Sequence, residues 1–246
     1  MSEFKFPTEE IDLPSKGLLY PKDSPLSSGK IEMKYMTAKE EDILTNPNYI
    51  AKGTVIDKLL QALLITKVDY NDLLIGDQNA IMIAARILGY GKDYQYNYAG
   101  QVQTIDLTTL EDKPFDESLI TPGTREFTFT LPTSKLEVRF KLLTIGDNSK
   151  IAREITGLKK INKESSPEMT TRMKHTITAV DGDTEVSTIR KFVDTALLAK
   201  DARALRAYIN EIQPDINLTV TVETSNGEED ITLPITSNFF WPDAGT

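Results

Sequence analysis

The stretch Asp12 to Asn46, DLPSKGLLYPKDSPLSSGKIEMKYMTAKEEDILTN, constrains the fold most, because it changes physical character twice within a short distance. Asp12 to Ser28 holds Pro14, Pro21 and Pro25, with Gly17 inside it and Gly29 after it. Each proline fixes φ and biases the preceding residue away from helix, so this part must be extended or turning. Leu13, Leu18, Leu19 and Tyr20 are too apolar for a solvated linker and imply an arm lying along a surface, its own or a partner's. Lys30 to Tyr35 then alternates, with Ile31, Met33 and Tyr35 on one face, which is a strand pattern. Thr37-Ala-Lys-Glu40 reads as a capping box opening a helix that runs to about Thr45.

The run LPSKGLLYP, then SPLSSG, then IEMKYMTAKEEDILTN resembles the N-terminal signature of a family of baseplate proteins from contractile-tailed, T-even-type bacteriophages. The resemblance covers the first ninety or so residues, and the closing FFWP of Phe239 to Pro242 fits it again. It implies a hub subunit or hub-assembly factor, with other baseplate or hub proteins as partners and self-association as a further option. The place of action is then the tail baseplate of the virion, or the host cytoplasm during assembly. It also implies a hairpin carrying a zinc-ribbon CxxC pair, where this chain has Tyr98, Ala99, Gly100 and Gln101. Thiolate zinc binding is impossible there, so a ribbon shape would have to persist without the metal.

The chain has 246 residues, room for one large or two modest domains, and an apolar content of 39% that suits a globular core. No apolar run reaches the length of a membrane span, and the N-terminus has no secretory pattern. With no cysteine there are no disulfides, thiolate metal sites or cysteine nucleophiles. His175 is the sole histidine, too little for an imidazole metal site, and it lies in a helix without a Ser or Asp partner pattern. No cofactor is therefore expected. A net charge of −9 opposes binding to a phosphate backbone, which argues against nucleic acid as the main partner.

After the Thr37 helix, Asn46-Pro47-Asn48 reads as a breaker, and Gly53-Thr54 opens a helix with Val55, Leu59, Leu60, Leu63 and Leu64 at helical spacing. Gly76-Asp77 is expected to cap a helix from Gln78 to Leu88 that is apolar on nearly all sides. Tyr94 to Leu107 reads as a hairpin about Ala99-Gly100, and Phe127 to Leu142 as two further strands of the same inserted sheet. Helices follow at Asn148 to Lys160, Glu168 to about Val180, from Ser187, and from Asp201 to Gln213. Leu218 to Ile235 forms a last hairpin about Ser225-Asn226-Gly227. The expected fold class is α+β: a helical core with an inserted small antiparallel sheet, including the degenerate zinc-ribbon-like hairpin, and a C-terminal β-hairpin. In segments, that is arm and strand 1–36, helical core 37–91, β insertion 92–143, helical core 144–213, and hairpin with aromatic tail 214–246.

Patterns that suggest chemistry have plainer readings. Asp181-Gly182-Asp183 lacks the spaced ligands of a calcium loop and reads as a turn. Gly89-Tyr90-Gly91 follows a helix and lacks a phosphate-loop lysine. The acidic pairs sit in capping or solvated contexts. Nothing supports catalysis. A phage enzyme would need a convergent polar pocket, and an acidic regulator a single acidic face. What stands out is apolar or aromatic groups at both chain ends: Leu13, Pro14, Lys16, Gly17, Leu18, Leu19, Tyr20 and Pro21 in the arm, and Phe239, Phe240, Trp241 and Pro242 in the tail. Each end either folds onto its own core or anchors a partner.

Overall fold

A computed structural model describes residues 7–162, 166–224, 227–235 and 239–241. The fold is α+β, with eight α-helices and four small antiparallel sheets among those residues. Its elements fall into two halves of similar order, residues 8–107 and 126–233, each a hairpin, a capped helix, further helices and a closing hairpin.

Each half opens with a hairpin whose turn begins Leu-Pro. In the first, β1 (Thr8–Asp12) pairs with β2 (Lys30–Lys34); in the second, β5 (Glu126–Thr130) pairs with β6 (Glu137–Lys141). The Leu13 amide closes its turn on the Gly29 carbonyl at 2.8 Å, as the Leu131 amide does on Leu136 at 2.9 Å. A capped helix follows each second strand: α1 (Ala38–Leu44) with the Thr37/Glu40 capping box, and α5 (Ile145–Ile161) with the Thr144/Asp147 box. Lys34 binds Glu40 and Lys141 binds Asp147, both at 2.8 Å. Buried Ile31, Met33 and Leu44 are matched by buried Val138, Phe140 and Ile151.

The correspondence continues through α3 (Val55–Leu63) and α6 (Glu168–Thr176), nine residues each. Leu64 then bridges Met33 in the first half, while β7 (Ile177–Val180) joins β6 in the second. Each half next has a long core helix, α4 (Ile75–Tyr90) or α8 (Ala199–Ile212), and closes with a hairpin of two six-residue strands. These are β3 (Asp93–Tyr98) with β4 (Gln101–Asp106), and β8 (Thr219–Thr224) with β9 (Gly227–Thr232). Leu107 donates to the Lys92 carbonyl and Leu233 to that of Leu218, at 2.9 and 2.7 Å.

The halves meet where α4 and α5 begin. Leu74 bridges Thr144 and the Ile145 amide donates to the Leu73 carbonyl at 2.9 Å. This approach depends on Gly76, whose side-chain position is occupied by the Pro214 carbonyl: an added Cβ would sit 1.9 Å from that oxygen. Gly146 lies against Asn71 in the same junction, 3.0 Å from where its Cβ would be. The positions matching these glycines in the other half are Lys200 and Lys39.

Several local expectations are corrected. Helix α1 ends before Asn46 as expected, but Asn46 also caps a further helix, α2 (Pro47–Ala51), accepting from Asn48 N at 3.0 Å with Pro47 in the first turn. Helix α4 begins at Ile75, so Gly76 and Asp77 lie inside its first turn. Helix α6 ends at Thr176, because Ile177 to Val180 is a strand completing a three-stranded sheet with β5 and β6. The β3–β4 hairpin is a separate sheet, so Tyr94 to Leu142 is not one insertion. Its turn residues Ala99 and Gly100 have φ of 49° and 79°, the left-handed pair that a two-residue hairpin needs. The Ser225-Asn226 part of the last turn, and Phe4 and Phe6, lie outside the described residues.

Candidate partner interface

The Leu-Pro turn of the first half, Leu13 to Gly29, spans 17 residues; its counterpart Leu131 to Leu136 spans 6, an excess of 11 in the first. Both turns are held the same way, by an aspartate in the first turn of a core helix. Asp201 of α8 accepts from the Thr133 and Ser134 amides at 2.7 and 3.0 Å. Asp77 of α4 accepts from the Ser15 amide at 2.9 Å, the Ser15 hydroxyl at 2.7 Å and the Tyr20 hydroxyl at 2.5 Å. The Tyr20 oxygen in turn accepts from the Leu74 amide at 2.9 Å, which ties the turn to the junction between halves. Asp77 is fully buried. Burial pushes its carboxyl above the usual range, against the pull of the Tyr20 and Ser15 hydrogen bonds; burial and the facing carboxylate push the Tyr20 phenol up, so it remains a donor. The N-terminal dipole of α4 supports a negative group there.

This clamp decides where the arm residues lie. Leu13, Leu19, Tyr20 and Leu26 are in the core, and Pro14 and Gly17 are buried with them. Gly17, at φ 75°, has its side-chain position against the Gly29 nitrogen and the Ser27 carbonyl, both 2.5 Å away, so no larger residue fits. Lys16 and Pro21 are exposed and Leu18 half-buried. Lys16 reaches Glu117 at 2.5 Å, and the Leu18 carbonyl accepts from the Gly123 amide at 2.9 Å, so the segment joining the halves covers part of the arm. The exposed side of the turn, Leu19 to Leu26, walls a groove of about 630 Å³ with Lys67, Asp69 and Arg125 on its other sides.

The tail is placed similarly. Phe239 and Phe240 are buried, with Phe239 edge-on to Tyr94 at 5.0 Å, and Trp241 is partly exposed. Pro242 lies outside the described residues. The arm and tail anchors are thus not brought together as one patch: most of their apolar area serves the chain's own core, leaving Lys16, Leu18, Pro21 and Trp241 accessible. The buried carboxylates Asp77, Asp147 and Asp201 were not singled out by composition. The signal for them was the repeated spacing Lys34-Thr37-Glu40 and Lys141-Thr144-Asp147, and the paired Leu13-Pro14-Ser15 and Leu131-Pro132-Thr133.

Asp147 offers a measurable handle. Burial alone would raise its carboxyl, but Lys141 at 2.8 Å and Arg125 at 2.6 Å outweigh it and hold it at about 2. Because the folded value is depressed below that of an ordinary aspartate, its stabilisation is complete above about pH 4 and is lost as pH falls toward 2. About 2 kcal/mol is expected to disappear across that window. Urea midpoints at successive pH values check this, and Asp147→Asn is expected to remove that part of the dependence.

His175 is half-buried and bonds Glu154 at 2.7 Å, which Arg190 also clasps at 2.7 Å. Arg190 first, then His175, holds the Glu154 carboxyl at about 2 in spite of burial, so this is an ion-pair cluster joining α5, α6 and α7 (Val186–Thr195). Among the described residues, no group of three His, Cys, Asp or Glu side chains is arranged to hold a metal, and no helix is long and apolar enough to cross a membrane.

Comparison with known proteins fits this picture of a chain built from turns and packed faces. Residues 10–241 match the family model described as T4 bacteriophage base plate protein. No curated protein and no solved structure matches. The match spans both halves, and on it the chain belongs to the T4 bacteriophage base plate protein family.

Proposed function

We propose that the chain is a component of the baseplate hub that works through protein–protein contacts and without catalysis, recognising a neighbouring hub subunit through the exposed side of the Leu13–Gly29 turn. The observation that carries this is the 11-residue excess in that turn (17 against 6). In the second half a six-residue turn closes an equivalent hairpin, so the extra length is not needed to close the hairpin itself. Besides adding Leu19, Tyr20 and Leu26 to the core, it builds one wall of a groove of about 630 Å³. Pro21 lines that groove, and Lys16 and the half-buried Leu18 lie on the same turn beside it, held from beneath by Asp77, which lowers the ordering cost of docking. Trp241, partly exposed at the other chain end, is a second contact of the same kind.

The test is co-purification of the full chain with each hub protein of the same phage, comparing wild type with Leu18→Glu/Pro21→Glu and with Trp241→Ala. Loss of one hub partner at unchanged melting temperature is expected for the turn variant. Undiminished capture would place the contact elsewhere. Mass spectrometry of purified virions separates a retained subunit, present in the particle, from an assembly factor that leaves.

A further inference from the structure

Because the two halves are built alike, positions where they differ mark what one half does that the other does not. One such place is the groove between α6, α8 and the strand end at Leu143. There Ile75, Leu143, Met173 and Ile209 line a mostly apolar cavity of about 220 Å³, and Arg172 and Arg206 stand at its edge. The first half has Leu59 where the second has Arg172, Met82 for Arg206 and Ala85 for Ile209. It has Met36 for Leu143, and the Met36 methyl lies against Gly89, 2.9 Å from where a Cβ on that glycine would be. At these positions one half is apolar, with Met36 against Gly89, while the other carries two cations beside Lys141, which also lines the cavity and pairs with Asp147.

Among the described residues, those cations meet neutral partners. Arg172 meets the neutral Asn148 amide oxygen at 3.1 Å and Arg206 the Met169 sulfur at 2.7 Å. Among the described residues neither is within ion-pair distance of a carboxylate, in a chain with nine more acidic than basic groups (37 against 28). A guanidinium pair flanking an apolar slot matches a segment that inserts an apolar side chain and carries carboxylates beside it. Met169, exposed beside Arg206, extends the apolar surface and adapts its shape readily.

We infer that the groove bounded by Arg172 and Arg206 is a second docking site, taking an acidic segment with an apolar anchor from another baseplate subunit. The inference rests on the reading of the chain as a baseplate component and adds a site remote from the Leu13–Gly29 turn.

The experiment titrates the full chain against each separately purified baseplate subunit of the same phage, at about 50 mM and about 300 mM salt. One subunit is expected to bind wild type, with the complex weakened at least tenfold by Arg172→Glu/Arg206→Glu and by raised salt. Leu143→Met, which gives the slot the residue that Met36 supplies in the first half, is expected to weaken it several-fold at unchanged melting temperature. Should the charge-reversed pair melt early, Arg172→Gln/Arg206→Gln takes its place with the same expected direction. Equal affinity of these variants overturns the site while leaving the turn-mediated reading intact, because Leu18→Glu/Pro21→Glu is measured in parallel. Self-association lost in the arginine variants assigns the groove to a second copy and overturns the present occupant. Failure of wild type to bind any subunit overturns both readings.

Discussion

Asp77→Ala is expected to destabilise the protein by about 3–5 kcal/mol, a large fraction of the stability of a domain this size. The carboxylate is the acceptor for three donors in a dry site, the Ser15 amide, the Ser15 hydroxyl and the Tyr20 hydroxyl. Alanine leaves all three without it, and an unmet buried donor costs more than the net worth of the bond it replaces. Two controls apportion the loss. Tyr20→Phe removes one donor and the acceptor of the Leu74 amide, and should cost about 1–2 kcal/mol beyond any packing change. Asp77→Asn keeps the shape but puts an amide donor opposite hydroxyls, and should fall between the two. Denaturant melts with a constant m-value check the series; an Asp77→Ala midpoint equal to wild type would mean the turn is held by packing alone.

The elements of this fold were legible where one pattern spoke for them and obscure where two patterns competed. The capping box at Thr37, the Ala99-Gly100 hairpin and the alternation of Lys30 to Tyr35 all carry local signals that tertiary contacts reinforce. Ile177 to Val180 was a conflict: Met169, Met173, Ile177 and Val180 follow helical spacing, yet Thr176-Ile177-Thr178 is a β-branched run that favours extended backbone. The edge of β6 settled it by supplying a pairing partner 37 residues away, from Phe140 to Ile177. The Asn46-Pro47 pair was ambiguous in another way, since the same residues that break a helix also start one. Charge hid the core carboxylates. Glu40, Asp77, Asp147 and Asp201 look like surface acid in a chain this acidic, and only the Lys-x-x-Thr-x-x-Glu/Asp spacing, present twice, marks two of them as structural. The partner surface was legible as a segment but not as a face. The apolar content of Leu13 to Pro21 pointed at the right turn, while the fold assigned its largest side chains to the interior and left Lys16, Leu18 and Pro21 outside.

That assignment reverses what a proline-rich apolar arm alone suggests. Such an arm, restricted before docking, could be removed without harm to the body that carries it. Here, deletion of residues 1 to 28 is expected to abolish cooperative folding. It strips Leu13, Leu19, Tyr20 and Leu26 from the core, each between 1% and 5% exposed, and large-to-small changes at single sites of this kind cost about 2–5 kcal/mol. Four together, about 8–20 kcal/mol if additive, match or exceed the roughly 5–15 kcal/mol that holds a domain folded. The cut also removes β1, so β2 loses its hairpin partner, and it leaves Asp77 buried with none of its three donors. A gentler excision separates the two roles of the turn. Replacing the Leu13–Gly29 turn by the six residues of Leu131 to Leu136 keeps β1, a leucine at the Leu13 position and a closure that the second half uses, but forfeits Leu19, Leu26 and the Tyr20 anchor. A measurable melt at lowered stability is expected for that chimera, against an unfolded baseline for the deletion. Circular dichroism through a urea series distinguishes them, and a deletion that melts cooperatively near the wild-type midpoint would show that the clamp and its four core residues are dispensable.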